Sequence, residues 1–136
     1  MEYVSRVKIY HSDTDCYNVV WHGSYLKWLE AGRVELSEKL GIKFAELDKM
    51  GILLPVVDLN IRYKHSARLF DELEIKTSLK ELKKTSVTFA HEIRAVNRDK
   101  LILQAASTVV TTDTEGRLFR SMPEYLYEKY SGILIT

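Results

Sequence analysis

Residues 22–40, HGSYLKWLEAGRVELSEKL, decide the architecture. Tyr25, Leu29, Gly32, Leu36 and Leu40 recur every three or four positions, the period of one helical face, and Gly41 follows as a stop. Leu26 and Trp28 flank this stripe and widen the apolar surface, which predicts a long helix enclosed by other elements rather than resting on one of its sides. Outward from the helix the period changes to two. Val57, Leu59, Ile61 and Tyr63 alternate with Val56, Asp58, Asn60 and Arg62; Leu73, Ile75, Thr77 and Leu79 repeat the pattern, as do Val87, Phe89, His91, Ile93 and Ala95. Leu101 to Thr112 is apolar on both faces, as an interior strand requires. Upstream, Val4 to Tyr10 reads as a first strand with Ser5, Val7 and Ile9 on one face. Short turns at Leu82–Thr85, Asn97–Lys100 and Asp113–Gly116 join the later strands into an antiparallel meander. A short helix over Phe44–Met50, stopped by Gly51, and a last helix over Pro123–Tyr130 complete the reading. The class is α+β, one long helix packed on an antiparallel sheet.

The chain has 136 residues, which fits a single domain over 1–136 with enough apolar content, 46%, to form a core without disulfide or metal staples. Twenty Lys and Arg against nineteen Asp and Glu give a net charge of +1, so no global field attracts nucleic acid or an anionic membrane. Neither prolines nor Gly/Ser runs mark a linker. The single cysteine, Cys16, and an N-terminus without the pattern of a signal peptide point to a reducing cytoplasm. No apolar run approaches the roughly 20 residues of a bilayer span.

The chemistry concentrates in residues 11–22, HSDTDCYNVVWH, immediately before the long helix. A helix start offers unpaired N–H groups and a positive dipole end that can stabilise a developing oxyanion, and a nearby carboxylate supplies a base or nucleophile. Each residue also has a structural reading. Asp13 can close an Asx-turn, and Asn18 tolerates the left-handed backbone of a tight loop. A metal site on His11, Asp13, Asp15 and His22 lacks any supporting ligand spacing, and no metal is expected. A Cys16–His22 nucleophile pair is chemically feasible, with an inert thiol as its alternative. His91, on an apolar strand face, reads as a buried hydrogen-bonded histidine and His65 as a loop residue. Lys83, Lys84 and Arg120 stand near turns where they could meet a phosphate or simply face solvent.

Taken together, Asp13-Thr14-Asp15, Val19-Val20-Trp21-His22, Tyr25-Leu26, Glu30-x-x-Arg33 and Gly41 resemble the N-terminal signature of small hotdog-fold thioesterases of the 4-hydroxybenzoyl-CoA thioesterase family. The likeness is strongest to the acyl-CoA thioesterase branch associated with bacterial Tol-Pal. Arg62-Tyr63, Ala67, Phe70-Asp71 and Met122-Pro123 extend it over nearly the whole chain. The sequence departs from the family pattern in three places: Asn18 replaces a glycine, His11 replaces a tyrosine four residues before the second acid, and Ser66 replaces the proline of Tyr-x-x-Pro-Ala.

The resemblance implies a sheet wrapped around a central helix and a homodimer or homotetramer with active sites at the subunit interface. It also implies Asp15 as the catalytic carboxylate, the His22 backbone N–H as the carbonyl-polarising group with its side chain assisting, and Lys83, Lys84 and Arg120 near the nucleotide end of CoA. No cofactor is implied beyond the CoA of the substrate itself. Tyr17, Trp21, Trp28 and Tyr63 are candidate aromatic walls. A catalytically silent hotdog module that binds acyl-CoA, an acyl carrier protein or another protein stays open, because fold does not fix function. A hotdog hydratase expects a loop-histidine and helix-acid pair that has no clear equivalent here.

Overall fold

Five strands form one antiparallel sheet in the order β1-β3-β4-β5-β2 in the computed structural model, which describes residues 1–134. The strands are β1 (Glu2–Lys8), β2 (Val56–Tyr63), β3 (Glu72–Leu82), β4 (Ser86–Ala95) and β5 (Lys100–Val110). The helices are α1 (His22–Lys39), α2 (Phe44–Lys49) and α3 (Glu124–Ser131). The meander β3-β4-β5 forms the centre, with β1 paired to β3 at one edge and β2 paired to β5 at the other. Alternation is cleanest in β4, where Val87, Phe89, His91, Ile93 and Ala95 are all buried while their neighbours are half-exposed.

Helix α1 lies on the inner face of this sheet. Tyr25, Trp28 and Leu29 from its first half pack with Ile75, Ile93 and Leu103, and Leu36 from its second half packs with Leu79, Phe89 and Val109. Burying a leucine fully, as at Leu29 and Leu36, stabilises by about 1.5–3 kcal/mol relative to exposure. Midway along, Gly32 is required by contact: a Cβ there would lie 2.2 Å from Thr77 Oγ1. Helix α3 closes the far end through Leu126 and Tyr130, whose hydroxyl is 2.8 Å from the Ser37 Oγ of α1.

Three expectations change in detail. Strand β1 begins and ends two residues earlier than the alternation suggested, because Ile9 and Tyr10 turn into a short 3-10 segment at His11–Asp13. Helix α1 is not enclosed: Leu26 and Glu30 face outward and Leu26 is 45% exposed, so one apolar flank has no cover within the chain. Strand β2 forms where its period placed it, but its inward side chains stay exposed, Val57 at 60% and Leu59 at 41%. Ile61 and Tyr63 reach the core and the start of α1, whereas Val57 and Leu59, earlier on this edge strand, have nothing of their own chain to cover them. No helix among the described residues is long and apolar enough to cross a membrane.

Candidate active site

The loop between β1 and α1 is tied at both ends. The Tyr10 N–H donates to Asp13 Oδ2 (3.1 Å), while the Asp13 carbonyl accepts from the Trp21 N–H (2.9 Å) and the Ser24 hydroxyl (3.2 Å). Lys27 lies 3.8 Å from the other carboxylate oxygen. Buried Asp13 therefore organises the loop and fixes the start of α1.

Within the loop, Thr14 bridges Val20, the Asp15 N–H donates to the Val19 carbonyl (2.9 Å), and the Asn18 N–H returns to the Asp15 carbonyl (3.1 Å). This tight turn needs a left-handed residue, and Asn18 supplies it at φ 61°. The Tyr17 N–H donates to Asp15 Oδ1 (2.8 Å), which holds the exposed carboxylate in place and leaves Oδ2 without a protein donor among the described residues. Cys16 is exposed on the outside of the same turn.

Helix α1 starts beside it without a side-chain cap, since its N-cap residue is Trp21. The backbone N–H groups of His22 and Gly23 have no carbonyl partner among the described residues. Gly23 also makes room for Trp21, because a Cβ there would lie 2.0 Å from the indole ring. The His22 imidazole stands edge-on to Tyr63 of β2, with ring centroids 5.6 Å apart.

Asp15 and His22 line one cleft of about 420 Å³ together with Val20, Tyr25, Tyr63 and Ser66. Its far wall is the 64–68 segment. The Ala67 carbonyl accepts from the Val20 N–H (2.9 Å), and the Ala67 N–H donates to the hydroxyl of buried Tyr25 (3.1 Å). Burial raises the Tyr25 phenol above its ordinary value, against the opposing Ala67 hydrogen bond, so the group stays neutral. Behind the wall, buried Asp71 accepts from Arg98 Nε (3.0 Å) and Nη2 (2.6 Å), from the Asn97 amide (3.0 Å) and from the Arg68 N–H (2.9 Å). Burial alone would raise the Asp71 carboxyl; Arg98, Asn97 and the Arg68 N–H outweigh it and hold the group below the usual carboxylate range. Arg98 also donates to the Ser66 carbonyl (3.0 Å), which couples this ion pair to the cleft.

The other residues singled out from the sequence lie elsewhere. Lys83 and Lys84 occupy the β3–β4 turn, where Lys83 pairs with Glu81 (3.1 Å) and the Lys84 carbonyl accepts from the Met122 N–H (2.9 Å), close in sequence to Arg120. Ten residue steps of β3, about 33 Å at strand rise, separate that turn from the end of the strand near the cleft. Within one chain they do not meet Asp15. Trp28 is 5% exposed and belongs to the core rather than to a pocket wall. His11 packs edge-on to Phe70, and no group of three or more metal-ligating side chains occurs among the described residues. His65, read from sequence as a plain loop residue, lines the cleft while its Nδ1 bonds the Leu101 carbonyl (2.9 Å). Only the Tyr63-x-x-Ser66-Ala67 spacing hinted at this wall.

The chain is similar to known proteins over most of its length. Residues 9–130 match the thioesterase-like superfamily. The chain is 36% identical over 128 residues to a putative esterase of Synechocystis, covering 93% of this chain and 76% of that protein. It is 30% identical over 125 residues to the acyl-CoA thioester hydrolase YbgC of Escherichia coli, covering 91% and 92%. The crystal structure of DHNA-CoA thioesterase from Staphylococcus aureus superposes with a TM-score of 0.87 at 25% identity, covering 97% of this chain and 90% of that one.

Proposed function

The chain belongs to the thioesterase-like superfamily, and from that membership we propose that it hydrolyses an acyl-CoA thioester to the free acid and CoA, with Asp15 as the acting carboxylate. One observation carries the reading: the Asp15 carboxylate and the uncapped start of α1 share the wall of one cleft. The thioester carbonyl sits over the helix start, its oxygen accepting the His22 N–H, where partial positive charge opposes the oxyanion that develops. Asp15 takes a proton from water as the hydroxide adds to the carbonyl carbon. The tetrahedral intermediate collapses, the C–S bond breaks, and the departing thiolate recovers the proton. Direct attack by Asp15 to give a mixed anhydride, followed by hydrolysis, uses the same placement. Solvent oxygen-18 appearing in Asp15 after turnover would mark that second route. The His22 imidazole orients water or the leaving thiol, a smaller role than that of its backbone N–H. No step draws on a cofactor.

The same reading makes the working unit a homodimer or a larger homo-oligomer. The exposed Leu26, Val57 and Leu59, together with the open edge of β2, support a second copy covering the α1–β2 flank. Lys83, Lys84 and Arg120 of that copy would then meet the phosphates of CoA, which they do not approach within one chain. A CoA substrate and an unpaired Cys16 suit a cytoplasmic setting.

Thiol release from short-chain, long-chain and aromatic acyl-CoAs tests the proposal, with Cys16→Ser as background so that the protein's own thiol is silent. Asp15→Asn should fold normally and lose on the order of 10²–10⁴ in kcat, and His22→Ala should lose less. Undiminished turnover in Asp15→Asn overturns the assignment of Asp15. Acyl-CoA binding without release by the parent protein overturns the hydrolase reading in favour of a silent binding module.

A further inference from the structure

A second cavity of about 150 Å³ opens farther along α1, walled by Phe44, Leu54, Phe89 and Val109, with Arg33 on its helical side and Glu30 also lining it. It shares no lining residue with the Asp15 cleft. Eleven helical residues, about 16 Å of rise, separate Arg33 from His22. The Glu30-x-x-Arg33 spacing is unused by the hydrolytic machinery.

The setting of Arg33 is unusual for an arginine. It is only partly exposed, and its hydrogen bond to a side chain is a long one, from Nη1 to Ser107 Oγ at 3.5 Å. Behind Ser107 runs a buried neutral relay: Ser107 Oγ lies 2.7 Å from His91 Nε2, and His91 Nδ1 lies 3.3 Å from Thr77 Oγ1. With the proton of neutral His91 on Nδ1, Ser107 accepts from Arg33 and donates to Nε2 while Nδ1–H donates to Thr77. Burial, then the nearby Arg33 charge, pushes His91 down to about 4, which keeps the ring neutral and able to accept. Burial likewise lowers Arg33 from its ordinary value, with the charge of Glu30 opposing that effect. A guanidinium has five donors; Arg33 spends one on Ser107 and meets the charge of Glu30, so its charge is partly balanced while further donors of the fork stay open to a ligand. The supporting relay lies behind the fork, and the cavity beside it is mixed, with Arg33 and Glu30 as its charged lining and Phe44, Leu54, Phe89 and Val109 as its apolar one. Such a combination recognises a planar anion with a short hydrocarbon tail.

We propose that this cavity is a binding site for a short-chain monocarboxylate, its head on the Arg33 guanidinium and its tail against Phe44, Leu54, Phe89 and Val109. The apolar walls Phe44, Leu54, Phe89 and Val109 offer no cation or donor to a second carboxylate, so a dicarboxylate of the same length binds more weakly. This inference is independent of the role assigned to Asp15.

The test is an amide-shift titration of the intact protein with hexanoate, its neutral isostere hexanamide and the dicarboxylate adipate. Expected are saturable shifts for hexanoate centred on Arg33, Phe89 and Val109, with hexanamide and adipate each at least tenfold weaker. Arg33→Gln should weaken hexanoate at least tenfold. Leu54→Trp, which keeps the guanidinium and fills the cavity, should do the same, so the proposal does not depend on one variant folding. It is overturned if hexanoate fails to saturate, if hexanamide binds equally well, if the shifts centre on Val19–Tyr25, or if either folded variant binds like the parent.

Discussion

Replacing Asp71 by Asn tests the electrostatics that hold the cleft wall. The carboxylate is 3% exposed and receives two nitrogens of Arg98, one amide of Asn97 and the Arg68 N–H. Removing its charge strands the Arg98 guanidinium, which at 24% side-chain exposure recovers only part of its hydration. Breaking a fully buried pair costs about 3–5 kcal/mol, and the partial access of Arg98 brings the expectation to about 2–3 kcal/mol. For a chain of this length that is a fall in Tm of roughly 6–12 °C. Denaturant unfolding of the parent, Asp71→Asn, Arg98→Met and the double variant isolates the pairwise part. The pH dependence supplies a second check. A carboxyl held below its unfolded value, about 3.9, contributes fully above that value and loses its contribution as pH falls through the lower folded value. The gap between parent and variant should stay flat from pH 7 to 5 and narrow below about pH 4. A coupling under about 1 kcal/mol at pH 7, or a gap that does not narrow in acid, would refute the reasoning.

Acidification should also act through His91. Its folded value of about 4 lies below the ordinary 6.5, so between those limits the unfolded chain binds the extra proton and stability falls as pH drops, by up to about 3 kcal/mol. His91→Gln should flatten that slope in chemical-unfolding curves. Gly32→Ala places a methyl 2.2 Å from Thr77 Oγ1 and should cost about 1–3 kcal/mol in the same assay, with Thr77→Ala in the Gly32→Ala background recovering part. Leu59→Lys, on the exposed inner side of β2, should leave the subunit folded and reduce its mass in sedimentation equilibrium; an unchanged mass would exclude that flank as the subunit contact.

Local patterns carried much of this structure and distant pairings did not. The stripe Tyr25, Leu29, Gly32, Leu36 is legible because a helix repeats within four residues, and each of its members is buried. Strand β4 is legible for the same reason at period two. The nearness of Asp15 and His22 is legible because only six residues separate them and the turn at Asn18 folds that loop back. The Asp71–Arg98 clamp spans 27 positions, and the contacts Arg33–Ser107, Ser107–His91 and His91–Thr77 span 74, 16 and 14, so only the sheet register brings them together. The period of β2 was read correctly, while its exposure was not, because alternation reports which side chains share a face and not what covers that face.

That exposed face bears on the chemistry. If the working unit were one chain, Asp15 would act in an open cleft, where water screens the partial charge at the helix start and weakens its hold on an oxyanion. A second copy over Leu26, Leu59 and Tyr63 would remove that water and bring a distant basic turn toward the leaving group. On the proposed mechanism, the reacting groups would be fixed by hydrogen bonds within the chain, whereas the dry environment would be left to association. Leu59→Lys should therefore lower kcat in proportion to the loss of assembly while the Asp15 turn stays intact. A fully active monomer would show that the cleft needs no cover and would withdraw the link between assembly and catalysis.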